Sequence, residues 1–458
     1  MSSEQSARGH SDVLSQVPHA HDGVQPMEVL ARRSTSPPRT GGSPGSSTFA
    51  SFIPRAHRLM QGFALAYGVL LCAMLVPYIQ TMLVFGHGPL SARSNLYATP
   101  EAHGLAPGKA QNLRLDGRIG AWFIMSDAAY GDQRPLSWDG QAASIQQALN
   151  GAPTILYLHG NSGDRATDHR CRLYSSWTSR VNANMLAIDY RGFGDSEGSP
   201  TVAGVLSDAR VAWDFLLENG AKAEDILIMG QSLGTGIATL LVEQLEGEHV
   251  KPRGLVLLSP FTSLSALVVE FKLGGVLPIL RPLMMFPFAD KVVAWMLQHK
   301  FEIISVVPYL TTPTFIAHAA DDPLIPLSHS EGLFDAIIKA RLGPEPRMPE
   351  PALLTHGDTQ GLWAQWRDAV AQRRATREAM IKPTTVPNFG TVFELNGTDG
   401  SNGKVVLLKT HRGGHAMHGV EGVQDVVREM FDMKPCYWSH KYMLSTYNYT
   451  SMLSRGPR

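Results

Sequence analysis

Residues 225–236 of this 458-residue chain are Asp225-Ile226-Leu227-Ile228-Met229-Gly230-Gln231-Ser232-Leu233-Gly234-Thr235-Gly236. The apolar run before Gly230 predicts a buried strand of a parallel sheet, and the residues after Ser232 predict a helix. Gly-x-Ser-x-Gly at such a turn holds the serine in a strained conformation, and its glycines leave room for the neighbouring strand and helix. The turn also places the hydroxyl at a helix N-terminus, where backbone N–H groups stabilise negative charge. Ser232 is therefore the candidate nucleophile.

A second match to Gly-x-Ser-x-Gly lies at residues 194–198. It follows Tyr190-Arg191-Gly192-Phe193 instead of an unbroken apolar strand, and it leads into Ser199-Pro200. This context predicts a loop, so Ser196 is assigned no chemistry.

Short apolar segments alternate with amphipathic helical segments on both sides of the serine turn. The predicted strands are residues 112–115, 119–124, 154–158, 184–190, 226–229, 254–260, 314–318 and 404–410. This alternation predicts an α/β fold with a mostly parallel sheet and helices on both faces. The domain is expected to span residues 105–432, with an apolar cap at about 261–310 and a variable insertion at about 341–402. In such sheets the active site lies beyond the carboxyl ends of the strands.

One predicted carboxyl end carries the loop His159-Gly160-Asn161-Ser162. Ester hydrolysis passes through a tetrahedral intermediate whose oxyanion needs preorganised donors. The candidate donors are the backbone N–H groups of Asn161 and of Leu233, the residue after the nucleophile. His159 itself is interpreted as a histidine that stabilises the turn.

The acid of a triad is expected after the serine, at the end of a later strand. Two aspartates, Asp321 and Asp322, follow the predicted strand 314–318. The usual form of this loop, Asp-x-x-Ile/Val-Pro, favours Asp322, which stands four residues before Pro326. Asp321 is then a loop residue or a helper.

The base is expected last, and three histidines follow the predicted strand 404–410. His415 is favoured because it follows two glycines in the loop, whereas His411 ends the strand and His418 lies where the final helix would begin. The order Ser…Asp…His is that of an α/β-hydrolase triad. A metal site built from the three histidines is the competing idea, but no carboxylate cluster accompanies them. No metal and no other cofactor is therefore expected.

The N-terminal part of the chain differs in composition from the rest. Residues 1–55 are rich in Ser, Gly, Pro and His and are predicted to be disordered. Residues 59–85 contain no charged residue and are long enough to cross a bilayer as one helix kinked at Pro77, although a buried soluble helix is the alternative. Arg55 and Arg58 precede this run, which predicts a cytosolic N-terminus.

Two glycosylation triplets agree with that orientation, at Asn396 and Asn448. Cys171 and Cys436 could pair in an oxidising compartment or remain free thiols. The net charge is zero and no basic stripe is present, so a nucleic-acid partner is not expected. Residues 433–458 are interpreted as a C-terminal tail.

Several motifs together resemble the membrane-anchored α/β-hydrolase-domain lipases, described as monoacylglycerol and lysophosphatidylserine lipases. They are His159-Gly160-Asn161, Asp189-Tyr190-Arg191-Gly192-Phe193-Gly194-Asp195-Ser196, Gly230-Gln231-Ser232-Leu233-Gly234-Thr235-Gly236, Ser259-Pro260-Phe261-Thr262 and His318 with Asp321-Asp322-Pro323. The resemblance covers roughly residues 55–340 and 400–432. It implies a single-pass protein of the endoplasmic-reticulum membrane with a luminal α/β-hydrolase domain.

The resemblance further implies that the enzyme cleaves acyl esters of single-chain lipids taken from the bilayer, with Ser232, Asp322 and His415 as nucleophile, acid and base. A deacylase acting on protein thioesters and a catalytically inactive scaffold are the alternatives.

The chain departs from the family pattern in the insertion, where residues 360–380 predict a basic helix with two tryptophans. Such a helix could rest on a membrane surface or be an ordinary exposed helix. The apolar, Met-containing cap could line an acyl site or pack as core.

Overall fold

The computed structural model describes residues 46–87, 97–133, 144–273, 277–349, 359–395 and 403–433. The chain divides into two compact units, Met1–Ala66 and Tyr67–Arg458. Helix α1 covers Ser46–Met74, so helical structure begins inside the segment that was predicted to be disordered. Asn396, Asn448, Cys436 and most of the predicted C-terminal tail lie outside the described residues.

The strands of the second unit are β1 (Ala110–Leu115), β2 (Ile119–Ile124), β3 (Thr154–Leu158), β4 (Asn184–Ile188), β5 (Ile226–Gln231), β6 (Gly254–Leu258), β7 (Lys272–Leu273), β8 (Leu277–Pro278), β9 (Thr314–Ala319), β10 (Ile381–Val386), β11 (Gly390–Leu395) and β12 (Val405–Thr410). The helices after α1 are α2 (Pro77–Phe85), α3 (Asp127–Gln133), α4 (Ile145–Gly151), α5 (Asp168–Arg180), α6 (Val202–Glu218), α7 (Leu233–Gly247), α8 (Leu264–Glu270), α9 (Ala289–Met296), α10 (Ile303–Val306), α11 (Ser328–Leu342), α12 (Thr359–Met380) and α13 (Glu421–Met430).

The large sheet has the strand order β1-β2-β4-β3-β5-β6-β9-β12-β11-β10. Its six central strands, from β4 to β12, are parallel, and the pairs at either edge are antiparallel. This arrangement confirms the predicted α/β fold with a mostly parallel sheet. The buried apolar side chains form two clusters, and β5 contributes Ile228 to one and Leu227 and Met229 to the other. A strand covered on both faces is expected to be apolar along its whole length, as β5 is.

The insertion after α11 contributes structure that the sequence analysis did not predict. Residues 381–395 form the antiparallel hairpin β10–β11, and β11 pairs with β12, so the insertion extends the sheet. The turn contains Asn388 at φ 61°, a conformation that asparagine tolerates better than most residues. Pro383 lies on β10, the edge strand. Proline has no N–H to donate, and an edge strand tolerates this because no further strand pairs with its outer side.

The basic helix of the insertion, α12, is held against the end of α11. Arg373 donates to the carbonyl oxygens of Leu342 and Pro344, and Arg377 donates to Asp335. Two arginines of α12 therefore donate hydrogen bonds to oxygen atoms of this chain.

The single apolar helix expected over residues 59–85 is instead two helices. α1 ends at Met74, and α2 begins at Pro77. Val76, just before the proline, is extended at φ −68° and ψ 121°, because proline disfavours the helical conformation of its preceding residue. Among the described helices, none alone is long and apolar enough to cross a membrane. The pair Phe52–Met74 and Pro77–Phe85, bent by 83°, has the required length and apolar composition only when the two helices are taken together.

The cap region lies between β6 and β9 and contains α8 to α10. Several of its large apolar side chains are exposed: Met285 (86%), Phe286 (68%), Phe288 (68%) and Trp295 (80%). Core packing therefore does not account for the apolar composition at these positions.

Candidate active site

The turn between β5 and α7 has the strained geometry that its glycines predict. Ser232 lies at φ 51° and ψ −120°, and its N–H donates to the carbonyl of Leu258 at 2.9 Å. A Cβ at Gly230 would overlap the backbone of Gly234, and a Cβ at Gly234 would overlap the carbonyl of Leu158. Since α7 begins at Leu233, the N–H of that residue belongs to the first turn, which has no intrahelical acceptor.

Two and three strands across the sheet from β5, an aspartate and a histidine meet. Asp322 follows β9, His415 follows β12, and the two strands are parallel neighbours. Nδ1 of His415 donates to Oδ2 of Asp322 at 2.8 Å, while Oδ1 of Asp322 accepts from the backbone N–H groups of Leu324 and Ile325. Ser232, Asp322 and His415 thus all follow the carboxyl ends of parallel strands. This is the edge of the sheet at which the sequence predicted the site.

A second histidine, His318, also stabilises the ionised form of Asp322. Its Nε2 lies 3.3 Å from Oδ2 of Asp322 and 2.9 Å from the carbonyl oxygen of Ile325, while its Nδ1 contacts Oγ of Ser330 at 2.6 Å. Burial of the Asp322 carboxyl would raise its pKa, but the hydrogen bonds from His318 and His415 hold that pKa well below its usual range. A fixed negative charge therefore lies behind the His415 imidazole. No sequence pattern predicts this role for His318.

The alternative candidates for the acid and the base, Asp321, His411 and His418, lie in different surroundings. Asp321 accepts a 2.8 Å hydrogen bond from the N–H of Gly414, which ties the aspartate loop to the histidine loop. His411 is exposed, and its N–H donates to the carbonyl of Phe389. His418 is buried, and burial lowers its pKa to about 3. Within the described ranges, no three His, Cys, Asp or Glu residues stand close enough to hold a metal ion, the three histidines of this loop included.

The loop after β3 lies directly beside the candidate nucleophile. A Cβ added at Gly160 would lie 3.1 Å from Cβ and 3.7 Å from Oγ of Ser232. Glycine therefore allows the loop that carries Asn161 to approach the hydroxyl. This close approach is the geometry that an oxyanion donor from the loop requires.

The carbonyl groups of this loop are held from the core side by two side chains for which the sequence did not predict this role. Arg170, on α5, is buried and donates to the carbonyl oxygens of Ser162 at 2.7 Å and Asp164 at 2.9 Å. The hydroxyl of Tyr190 donates to the carbonyl oxygen of His159 at 2.9 Å. A buried arginine with no nearby motif gives no signal of such a role in the sequence.

His159 and Ser196, which belong to the sequence motifs, are buried and make contacts that stabilise their loops. The ring of His159 is buried between Tyr190 and Phe193, at centroid distances of 4.4 and 5.1 Å, and burial lowers its pKa well below the ordinary value. Ser196 donates to the carbonyl of Asp189 at 2.6 Å, so its hydroxyl is engaged in a loop, as the prediction for this second motif required.

Comparison with known proteins agrees with this architecture. A family model described as "Hydrolase_4: Serine aminopeptidase, S33" matches residues 171–306. A protein named "Lysophosphatidylserine lipase ABHD12" from Xenopus tropicalis is 34% identical over 275 residues, which are 58% of this chain and 68% of that protein. The protein of the same name from Danio rerio is 33% identical over 224 residues (49% and 56%). "Protein ABHD12B" from Homo sapiens is 32% identical over 190 residues (41% and 50%). The chain spans about half the length of the last two relatives.

Solved structures give weaker similarity. An esterase from Pyrococcus furiosus covers 52% of this chain and 79% of its own, at 17% identity and a TM-score of 0.36. An alpha-beta hydrolase from Vibrio vulnificus covers 76% and 94%, at 16% identity and a TM-score of 0.41.

The parallel sheet, the strained serine turn and the sequence relatives place the chain in the class of serine ester hydrolases with an α/β-hydrolase fold. Within that class the chain belongs to the family of the lysophosphatidylserine lipase ABHD12 proteins. The resemblance that the sequence motifs indicated is thereby confirmed.

Proposed function

We propose that the chain hydrolyses the acyl ester of single-chain lipids, monoacylglycerols or lysophospholipids such as lysophosphatidylserine. Ser232 acts as the nucleophile, His415 as the base and Asp322 as the acid. The observation that carries the proposal is the 2.8 Å hydrogen bond between His415 and Asp322 on the sheet edge that also presents the strained Ser232. The oriented imidazole and the strained serine are the two parts that nucleophilic catalysis requires.

The reaction follows from these groups. His415 accepts the hydroxyl proton of Ser232 as the oxygen attacks the acyl carbonyl, and the negative charge on Asp322 stabilises the imidazolium that forms. The backbone N–H groups of Asn161 and Leu233 stabilise the oxyanion. Collapse of the intermediate expels the alcohol, which takes the proton from His415. Water then attacks the acyl-enzyme by the same route and releases the fatty acid.

A lipid substrate is supported by the cap and by the relatives. Met285, Phe286, Phe288 and Trp295 expose apolar surface in the cap, and aromatic side chains of this kind suit a membrane interface. Two of the relatives described above carry the name lysophosphatidylserine lipase. The substrate would then enter from the bilayer beside the cap.

A lipid panel tests the substrate class. The full chain and Ser232→Ala are offered lysophosphatidylserine, other lysophospholipids, monoacylglycerols and an S-acylated peptide. Release of fatty acid from a single-chain lipid by the parent, and not by the variant, supports the proposal. Turnover of the acylated peptide alone would support a protein deacylase. Absence of turnover with every substrate in a folded protein would support an inactive scaffold.

We further propose that the apolar segment before residue 86 anchors the protein in the endoplasmic-reticulum membrane with the catalytic domain in the lumen. The arginines at 55 and 58 before the apolar run support a cytosolic N-terminus. Glycosylation at Asn396 or Asn448 requires a luminal domain. A loss of mass on glycosidase treatment, absent in the double variant Asn396→Gln/Asn448→Gln, would support this orientation. An unglycosylated protein whose catalytic domain is digested by protease added to intact microsomes would contradict it, whereas loss of the N-terminal tail alone is expected.

A further inference from the structure

The last turn of α2 meets the loop that is proposed to hold the oxyanion. The side-chain amide of Asn161 donates to the carbonyl oxygens of Leu83 at 3.1 Å and Val84 at 2.7 Å. The backbone N–H of Ser162 donates to the carbonyl oxygen of Phe85 at 2.9 Å. The last carbonyl groups of a helix have no intrahelical donor, so these three bonds satisfy groups that α2 leaves open.

Gly86 makes this contact possible. It ends α2 in the left-handed conformation, at φ 60° and ψ 20°, and its N–H donates to the carbonyl of Met82. A Cβ at this position would lie 2.7 Å from Cβ of Ser162 and would overlap the side-chain oxygen of Asn161. The loop and the helix end therefore fit together only because residue 86 has no side chain.

The position of α2 is itself fixed by the cap. Gln80 donates to the carbonyl of Met296 at 3.1 Å and accepts from the N–H of Gln298 at 2.8 Å. Oγ1 of Thr81 lies 2.7 Å from Nε2 of His299, and the buried ring of Phe85 packs edge-on against the same imidazole. The helix end thus connects the cap to the loop after β3.

The two sides of this loop are held differently. On the core side, the buried Arg170 binds its carbonyl oxygens. On the other side, the exposed Asn161 binds the end of an apolar helix that belongs to the bent pair. Loss of an exposed hydrogen bond has little effect on stability, whereas displacement of an oxyanion donor lowers the rate of the chemical step.

We propose that the side chain of Asn161 is a positioning residue, which couples the end of α2 to the oxyanion-binding N–H groups. This inference rests on the proposed function and adds to it a regulatory role for the apolar helix pair. The N–H of residue 161 is held in place by α2, so a change in the position of α2 or of the cap changes the rate of the chemical step.

Substitutions of the Asn161 side chain test whether the position of the oxyanion-binding N–H matters, because the N–H itself remains in every variant. Asn161→Ala and Asn161→Asp both keep the backbone N–H, but the first removes the side-chain donor and the second turns a carboxylate toward two carbonyl oxygens. A soluble short-chain ester is used as substrate, so that access from a membrane does not limit the rate. We expect kcat to fall about 10- to 100-fold with little change in KM, and to fall at least as far in Asn161→Asp.

Asn219→Ala is the matched control. Asn219 also donates its side-chain amide to a carbonyl in the last turn of a helix, that of Phe215 in α6, at 2.8 Å. It should change stability as much as Asn161→Ala does and leave kcat unchanged. Equal kcat values for Asn161→Ala and Asn219→Ala would overturn the inference. If the parent shows no activity that depends on Ser232, the proposed function fails instead.

A second pair of variants tests the coupling without any substrate. Gly86→Ala should accelerate hydrogen exchange of the backbone amides at residues 160–163, because the added methyl group separates α2 from the loop. Gly104→Ala carries the same left-handed strain, at φ 89° and ψ 6°, but has no atom within 4 Å of the added Cβ. Faster exchange of the loop in Gly86→Ala alone supports the coupling. Unchanged exchange in both variants contradicts it, whatever the enzymatic activity.

Discussion

Nδ1 of His415 donates to Oδ2 of Asp322 at 2.8 Å, although the two residues are 93 positions apart in the chain. The insertion that separates them does not disturb the pair, because its hairpin joins the far side of β12 and leaves β9 and β12 as direct neighbours. The aspartate and histidine loops therefore leave adjacent parallel strands at the same edge. The triad arrangement is compatible with a long insertion for this reason.

Neutralising each of the two adjacent aspartates should give very different results. Asp322→Asn replaces an acceptor of the His415 N–H by an amide and should lower kcat by about 10³- to 10⁴-fold, because the imidazole loses its orientation and its charge partner. Asp321→Asn keeps an oxygen that can accept from Gly414 and should leave kcat within about threefold of the parent. The check is steady-state hydrolysis of a soluble ester. A larger loss in Asp321→Asn than in Asp322→Asn would reverse the assignment of the acid.

The strained turn should not tolerate a methyl group at Gly234. Because the added Cβ would overlap the carbonyl of Leu158, Gly234→Ala should destabilise the fold by about 3 kcal/mol or more, or prevent folding. Gly247→Ala, at the last position of the same helix, meets no atom within 4 Å and should stabilise by about 0.5–1 kcal/mol. Urea unfolding of both variants gives the comparison. Equal stability of the two would show that the tight turn is not required.

Burial of His418 should make stability dependent on pH. Its pKa is lowered to about 3 in the folded chain, against 6.5 for an exposed histidine, so between these values the unfolded chain binds a proton that the folded chain does not. The free energy of unfolding therefore decreases as pH falls through this window, and His418 alone contributes a loss of about 2 kcal/mol between pH 7 and pH 5. His418→Gln should reduce the loss by that amount.

His411→Gln is the control for this pH dependence, since His411 lies exposed in the same loop. The measurement is urea unfolding of the full chain at pH 7 and at pH 5. The same difference between the two pH values in the parent, in His411→Gln and in His418→Gln would contradict the assignment to His418.

The parts of the fold that follow from local pattern were predictable from the sequence. The strand before Ser232 is apolar because helices cover both of its faces, and the glycines at 230 and 234 are needed by the turn itself. The choice of Asp322 and His415 came from the form of their loops and from chain order, and the structure brings these two side chains together.

The parts that depend on contacts between distant segments were not predictable. Arg170, His318 and the amide of Asn161 act on carbonyl or carboxylate oxygens that only the folded chain brings near them. The β10–β11 hairpin was missed because Pro383 and its polar neighbours resemble a loop, although Asn388 marked its turn. The apolar run near the N-terminus was long enough for one helix, yet Pro77 begins a new one.

The assignment of the Ser232 hydroxyl as the nucleophile underlies the whole mechanism. It is tested most directly by treating the full chain with a fluorophosphonate and mapping the adduct by peptide mass spectrometry. We expect one adduct, on the peptide that contains Ser232, with labelling slowed by at least about 10³-fold in His415→Ala. Labelling that persists unchanged in Ser232→Ala, or a folded parent that takes up no label, would contradict it.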